Sequence, residues 1–385
     1  MITTSAAALR TALSATSLIH RARPALPILA GVLIQTRDGA ATVTGYDFDT
    51  CITMTLPGEA PGPDARFVVD HTALIKAVKA VRGSTATLAD VPATLTLHEQ
   101  TVTVTVGATT VELQTLPADD WPVMPAPVPP DVGVDRLEFA RGARAAACAV
   151  ERSDALPVLT AIHLRMTPRE IVLEATDRYR VVSVHTPTLA VLTPGLNATA
   201  LVPGRVFAKL LSKTTFEHAA IGVRADPRGE GWVSVHSGAL VATLRLIPAT
   251  PVSLAPWVPR ESETTATVNR RAFAALLAVA DTNTAGHEHP QVTVRMSVDS
   301  ISVSADPTVE GTPISADVHG LLTPVTFTAR YLSDALATMR ATTITLHLSP
   351  GRKVASLVPE GAPLALSAEH LHMIAPVKPV KPIRL

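Results

Sequence analysis

Aromatic residues are scarce. Phe, Trp and Tyr make up 3% of 385 residues, against 47% for hydrophobic residues as a whole. Cores must therefore be built from Val, Leu, Ile and Ala, and that much apolar material excludes wholesale disorder. Cysteine is nearly absent, and Cys51 and Cys148 lie far apart. A disulfide framework does not fit this, and a reduced, cytoplasmic chain is the expectation. Net charge is missing too: 33 Lys and Arg balance 33 Asp and Glu. That rules out a uniformly basic nucleic-acid coat and an acidic disordered tail protein. It leaves room for a basic surface offset by an acidic one. No apolar run reaches the roughly 18 residues of a membrane span. Met1-Ile2-Thr3-Thr4-Ser5 lacks the basic start and apolar core of a signal peptide, so neither a membrane partner nor export is expected.

The common enzyme templates are absent as well: no phosphate loop, no nucleophile elbow, no helical zinc motif. His287-x-His289 and His370-x-His372 have the spacing of metal-ligand pairs, but no Cys or carboxylate cluster completes either set. They read as surface loop or strand histidines, and no metal or cofactor is expected.

What is present is repetition. At roughly 100–200 residues per domain, the length allows two or three domains. Ala25-Leu26-Pro27-Ile28-Leu29 recurs as Ala155-Leu156-Pro157-Val158-Leu159, an offset of 130. At the same offset Tyr46-Asp47 falls on Thr176-Asp177, and Arg165-Met166 falls on Arg295-Met296. Asp306 resembles Asp177, one deletion away from the same spacing. So long a period is no solenoid repeat and reads as three copies of one domain. Two proline-rich stretches, Trp121–Pro130 and Pro248–Pro259, suit semi-rigid linkers. The expected domains are 1–125, 130–252 and 260–385.

Each copy has one internal order. An Ala-rich helix opens it, at Ser5–Ser17, Glu138–Val150 and Arg270–Ala280. Alternating strands follow, such as Gly31–Thr36 and Ala41–Tyr46 around the turn signal Asp38-Gly39. A second helix is expected at His71–Arg82, Arg205–Lys213 and Thr328–Arg340, then further strands such as Ala93–Leu97 and Val102–Val106. The fold class is α+β: tandem helix-strands-helix-strands domains with antiparallel sheets.

Charge is patterned on the helices. In His71–Arg82, Leu74, Ile75, Val78 and Val81 form an apolar face, while Lys76, Lys79 and Arg82 lie off it at steps of three. Arg205, Lys209 and Lys213 step by four and form one stripe beside Val206, Phe207 and Leu210, and Arg141 and Arg144 add to it. Such stripes are either solvated faces or a surface that meets phosphates without reading bases. Asp47, Asp49 and Asp177 are candidate general bases, but their recurrence with the repeat favours a role in turns.

The chain resembles the bacterial DNA polymerase III beta subunit, the sliding clamp. The resemblance rests on Arg23–Leu29, Gly45-Tyr46-Asp47, Leu116–Pro122 and Glu174-Ala175-Thr176-Asp177-Arg178-Tyr179-Arg180, on a threefold repeat of matching length. The Asp-Arg-Tyr-Arg form is that of high-G+C Gram-positive clamps. It implies a homodimer joined head to tail, a ring of six domains with helices lining the hole and sheets outside. Double-stranded DNA inside is held without sequence preference, and retention is topological. The implied DNA-facing residues are Arg23, Lys76, Lys79, Arg82, Arg141, Arg144, Arg152, Arg205, Lys209 and Lys213.

The resemblance also implies a pocket for short peptides of the DNA polymerase III alpha subunit, the clamp loader and repair polymerases. Its wall would hold Leu159, Thr176, Arg178, Tyr179, Arg180, Val181, Val252, Pro256 and Trp257, and the chain's end would complete it. Pro256 stands where many relatives have Arg, and Val252 where many have Pro. Both Ala375-Pro376-Val377-Lys378 and Lys381-Pro382-Ile383-Arg384-Leu385 resemble the family's ending. Strand length favours the first, with Met373, Ile374, Pro376 and Val377 in the pocket; the exact ending favours the second. Ala278, Val279 and Val111 would meet across the dimer interface, with less apolar area than usual. The family is non-catalytic, and the departures suggest a divergent or inhibitor-resistant second copy. The alternatives are a protein-binding scaffold that never encircles DNA, and a hydrolase on a repeated scaffold.

Overall fold

The computed structural model describes residues 1–80, 87–213, 217–282, 290–306 and 308–377. Among these residues one element order occurs three times: strand, helix, four strands, helix, three strands. The first pass is β1 (Ile2–Ser5), α1 (Ala6–Thr16), β2 (Gly31–Arg37), β3 (Ala40–Tyr46), β4 (Thr50–Leu56), β5 (Ala65–Asp70), α2 (His71–Ala80), β6 (Pro92–Leu97), β7 (Thr101–Val106) and β8 (Thr109–Leu116). The second adds one short strand: β9 (Val132–Asp135), α3 (Arg136–Cys148), β10 (Ala161–Met166), β11 (Glu170–Thr176), β12 (Arg180–Pro187), β13 (Ala190–Val191), β14 (Ala198–Pro203), α4 (Gly204–Lys213), β15 (His218–Ala225), β16 (Gly231–Ser237) and β17 (Leu240–Arg245). The third is β18 (Thr264–Asn269), α5 (Arg270–Thr282), β19 (Gln291–Met296), β20 (Ser300–Ser304), β21 (Pro313–Gly320), β22 (Val325–Thr328), α6 (Ala329–Thr338), β23 (Thr343–Leu348), β24 (Ala355–Pro359) and β25 (His370–Ile374).

All six expected helices form, with described ends within two residues of expectation. Ser5 proves to be the cap of α1 rather than its first turn, accepting the Ala8 N–H at 3.2 Å. The expected end of α2 at Arg82 lies outside the described residues. Asp38 and Gly39 have φ of 51° and 77°, the left-handed pair that a two-residue hairpin needs, and Arg37 pairs with Ala40 beside them. In β7 the valines of Thr-Val-Thr-Val-Thr-Val are buried and the threonines half-buried, the period of two expected of a one-sided sheet.

The chain divides into two compact units. One comprises Met1–Arg136, Leu189–Leu196 and Lys209–Leu246; the other Leu137–Thr188, Asn197–Ala208 and Ile247–Leu385. Each unit holds one continuous sheet. The first runs β1-β6-β7-β8-β5-β2-β3-β4-β17-β16-β15-β9-β13, the second β14-β10-β11-β12-β25-β24-β23-β18-β21-β20-β19-β22. Within the first unit β4 pairs antiparallel with β17, Thr50 against Leu244 and Met54 against Leu240. Within the second, β12 pairs with β25, Arg180 against Ile374 and Val184 against His370. Successive repeats are thus joined edge to edge by backbone hydrogen bonds, which covers edges that would otherwise invite aggregation. Under the first sheet, Leu9, Leu13, Val32, Ile34, Leu74 and Val104 share one core. Under the second, Phe273, Leu277, Phe327, Leu332 and Leu346 share another.

The repeat is exact in places where backbone geometry is demanding. Single 3-10 turns at Pro27–Ala30 and Pro157–Thr160 stand 130 residues apart. So do Phe48 and Arg178, with left-handed φ of 74° and 78°. Ahead of each, an aspartate locks the turn. Asp47 Oδ1 accepts the N–H groups of Asp49 and Thr50 at 3.2 and 2.7 Å, and Asp177 Oδ1 those of Tyr179 and Arg180 at 3.1 and 3.0 Å. Asp306 likewise accepts the Thr308 N–H at 2.7 Å. Recurrence therefore marks turn chemistry.

Candidate functional site

The second unit carries an apolar cleft of about 430 Å³. One wall is the turn between β11 and β12. Thr176 Oγ1 accepts the Arg178 N–H at 3.2 Å and donates to the Arg180 carbonyl at 2.8 Å. The Tyr179 carbonyl accepts the Ala375 N–H at 2.8 Å, which fixes the segment after β25 against the same turn. The second linker supplies another wall. Leu254 is buried beside Val181, Leu371 and Met373, and a 3-10 turn at Ala255–Trp257 leaves the indole 62% exposed at the rim.

Of the thirteen residues expected in a peptide pocket, the cleft brings together ten: Leu159, Thr176, Arg178, Tyr179, Arg180, Val181, Val252, Trp257, Met373 and Ile374. Pro256, Pro376 and Val377 are not in its lining. Val377 instead donates its N–H to the Thr326 carbonyl at 2.9 Å. The alternative ending, Lys381–Leu385, lies outside the described residues. Sequence reasoning missed Leu156, Val158, Leu254, Lys353, Val354 and Ala375. Leu156, Val158 and Ala375 sit inside motifs already singled out, so a closer reading could have found them. Lys353 and Val354 carry no local signal.

The cleft's cations differ in availability. The Arg180 side chain is buried; Nε donates to Asp177 Oδ2 at 2.8 Å and Nη1 to Asp334 Oδ2 at 2.6 Å. Its guanidinium carbon stands 4.4 Å from the Tyr331 ring centroid. Burial opposes the charge, but the Asp334 and Asp177 carboxylates outweigh it and hold the guanidinium above its ordinary pKa. Arg178 is exposed, 3.4 Å from Glu151 and 5.9 Å from the Tyr179 ring. Asp177, with both oxygens engaged by its own turn and by Arg180, is built as a structural carboxylate. Burial raises the Asp47 carboxyl above its usual range although the Thr50 and Asp49 amides oppose it. It too is spent on its turn, and Asp49 pairs with Arg245 at 3.5 Å.

The candidate DNA contacts Arg23, Lys76, Lys79, Arg144, Arg152, Arg205, Lys209 and Lys213 are all exposed. Arg82 lies outside the described residues. On α2 the opposite face buries Leu74, Ala77 and Val78; on α4, Phe207, Leu210 and Leu211 are buried. Arg141 is exposed but donates to Glu138 at 3.0 Å, and so does Arg340, a residue not singled out in the sequence. Ala278 and Val279 are exposed near the end of α5, and Val111 is half-buried in β8. His370 and His372 lie in strand β25 but are buried there rather than at the surface, while His287 and His289 lie outside the described residues. Among the described residues no group of three His, Cys, Asp or Glu has metal-binding geometry. Burial pushes the thiols of Cys51 and Cys148 up to about 11 and about 12, which keeps them unreactive. No helix among the described residues is long and apolar enough to cross a membrane.

Residues 1–125 match the family profile described as the DNA polymerase III beta subunit, N-terminal domain. The beta sliding clamp of Streptomyces coelicolor is 24% identical over 374 residues, covering 93% of each chain. The beta sliding clamp homolog GriR of Streptomyces muensis is 29% identical over 243 residues, 62% of this chain and 61% of GriR. In fold, the chain is similar to the sliding clamp of Pseudomonas aeruginosa crystallised with griselimycin, with a TM-score of 0.82 over 98% of each chain at 18% identity. A profile match at the start, a relative aligned along nearly the whole chain and a shared fold agree, and all three identify the bacterial DNA polymerase III beta subunit, the beta sliding clamp, as what this chain is similar to.

Proposed function

We propose that this sliding clamp encircles duplex DNA as a head-to-tail homodimer and tethers replication and repair proteins to it. The observation that carries the reading is the threefold element order with exposed cations on helices and strands at the repeat seams. Exposed Lys and Arg attract phosphates through space, and release of counterions gives grip without base preference. A ring needs no tight grip, since it leaves a closed circle only by opening. The repeats 1–125, 130–252 and 260–385 would serve as three domains per subunit, with Val111 of one subunit near Ala278 and Val279 of the next. Work of this kind needs no catalytic group, and the candidate bases Asp47 and Asp177 are engaged in turns.

The 430 Å³ cleft would take the peptides of the polymerase III alpha subunit, the clamp loader and repair polymerases. An apolar anchor would enter beside Leu254 and Met373, with Trp257 and Tyr179 on the rim. Val252 lines the cleft where many relatives have Pro, and Pro256 stands outside it where many have Arg. Together with the likeness to GriR, this supports a divergent second clamp that escapes a cleft-directed inhibitor. Its place of work would be the cytoplasm, with the replication machinery.

Loading onto circular and linear duplexes tests the ring. A clamp stays on the circle and slides off free ends; equal loss from both overturns the topological reading. Titration with a clamp-binding peptide and with griselimycin tests the second claim. Tight binding of the peptide with weak binding of griselimycin is expected, and equally tight binding of both removes the case for resistance.

A further inference from the structure

A second cavity in the same unit, about 1050 Å³, lies among α3, β12 and the segment after α6, and no residue lines both cavities. Val184 and Thr186 contribute to its lining. Gly142 lets α3 approach them, since a Cβ there would stand 3.0 Å from Thr186 Oγ1 and 3.2 Å from Leu173 Cδ1. His370, 7% exposed, also lines it with an unpartnered Nε2. The partly exposed rim holds a triad: the Glu138 carboxylate accepts from Arg141 Nη1 at Oε1 and from Arg340 Nη1 at Oε2.

Two guanidiniums converging on one two-oxygen anion is an arrangement that suits phosphate as well as carboxylate. The triad is held from both sides. Glu138 sits in the first turn of α3, where the helix dipole favours negative charge. Arg340 follows the end of α6, where Arg270 donates from Nε to the Ala341 carbonyl at 2.9 Å and from Nη1 to the Leu336 carbonyl at 2.8 Å. Exposed ion pairs of this kind contribute little to stability, so the guanidiniums can exchange partners readily.

We propose that Arg141 and Arg340 form a site for phosphate oxygens of the duplex backbone, and that Glu138 is a built-in competitor for it. The proposal rests on the DNA-encircling reading. Glu138 lowers the net charge of the triad from two to one, weakens the grip at this point, and releases the backbone each time the ring moves on. A clamp that must slide gains from such a contact, because a phosphate held there has a rival within reach.

The test is equilibrium binding of the full-length protein to duplex DNA by fluorescence anisotropy across a salt series. Glu138→Gln should raise affinity about three- to tenfold at low salt and steepen the salt slope by about one. In the Arg141→Ala/Arg340→Ala background the same change should do nothing, because the arginines transmit its effect. An equal gain in both backgrounds reduces Glu138 to one more surface charge and overturns the proposal, as does no gain in either. Inorganic phosphate substituted for chloride at fixed ionic strength should compete for the same guanidiniums and weaken binding, and that loss should vanish in the Arg141→Ala/Arg340→Ala variant; an equal loss in both overturns the assignment of a phosphate site to these two arginines. Failure of the wider reading looks different: binding that ignores salt and survives loss of Lys76, Lys79, Arg205 and Lys209 together.

Discussion

Arg180 and Asp334 meet at 2.6 Å across 154 residues of sequence, a buried guanidinium on β12 against a carboxylate on α6. The contact ties a cleft wall to a helix of the third repeat. With Asp177 at 2.8 Å on the other edge, it satisfies a cation that could not otherwise stay buried. Asp334→Ala should cost about 2 kcal/mol in urea unfolding, with the loss little changed by salt. It should also weaken peptide binding, since the Arg180 side chain is then free to leave its place. Unaltered stability and unaltered affinity together would show that the pair holds nothing.

The paired histidines of β25 set a pH limit. His370 and His372 stack with centroids 6.4 Å apart. Burial pushes His370 down to about 4 and His372 well below its ordinary value, with the charges of His370 and Arg180 adding to the latter. In an unfolded chain a histidine takes its proton near pH 6.5. Between about 6.5 and 4, the unfolded state binds protons that the native state refuses. Stability should therefore be level above that window and fall as pH drops through it, by about 3 kcal/mol for His370 alone at pH 4. His370→Leu should flatten the slope in urea titrations at pH 7.5, 6, 5 and 4. A stability that rises as pH falls through that window contradicts the assignment.

Much of this was legible in the sequence, and the reasons are local. The Thr176–Arg180 turn is one contiguous motif, so its resemblance delivered a whole wall of the cleft. The aspartates at 47 and 177 revealed themselves as turn residues by recurring with the repeat. Lys353 and Val354 were invisible because nothing near them in sequence marks a cleft; the pairing of β24 with β25 and of β25 with β12 brings them there. Pro376 and Val377 fall outside the cleft's lining for a related reason: alignment assigns neighbours along the backbone but not which way the chain turns after the strand. For Glu138, an Arg141 partner three residues on is readable on any helical wheel. Arg340, 202 residues away, is not.

Trp257 offers a cleaner probe of the cleft than any buried wall residue. At 62% exposure it contributes little to the fold, and Trp257→Ala should change stability by no more than about 0.5 kcal/mol. An aromatic rim anchor of this kind should nevertheless be worth about tenfold in peptide affinity. Fluorescence polarisation with a labelled clamp-binding peptide reads the difference. An unchanged dissociation constant removes the indole from the binding surface.

The helix cations should act through salt. Replacing Lys76, Lys79, Arg205 and Lys209 with Ala together should lower the slope of log affinity against log salt by about 3.5 if all four neutralise phosphates. Any sequence preference should stay as small as before, because no base edge is read. A slope that does not move places these residues on a solvated face, and favours the scaffold that never meets DNA.

Among the described residues, counting repeats gives three, but counting continuous sheets gives two. The second repeat contributes strands to both, so every cut between repeats breaks one of the two sheets. A fragment ending before β18 would leave β12 bare along Arg180–Val184, and its missing partner would leave β25 bare along His370–Ile374. Each piece would carry an open, largely apolar strand edge ready to pair with another chain. Unfolding should accordingly be shared out by sheet rather than by repeat. Calorimetry of the whole protein is the place where that division, two cooperative blocks instead of three, would be read.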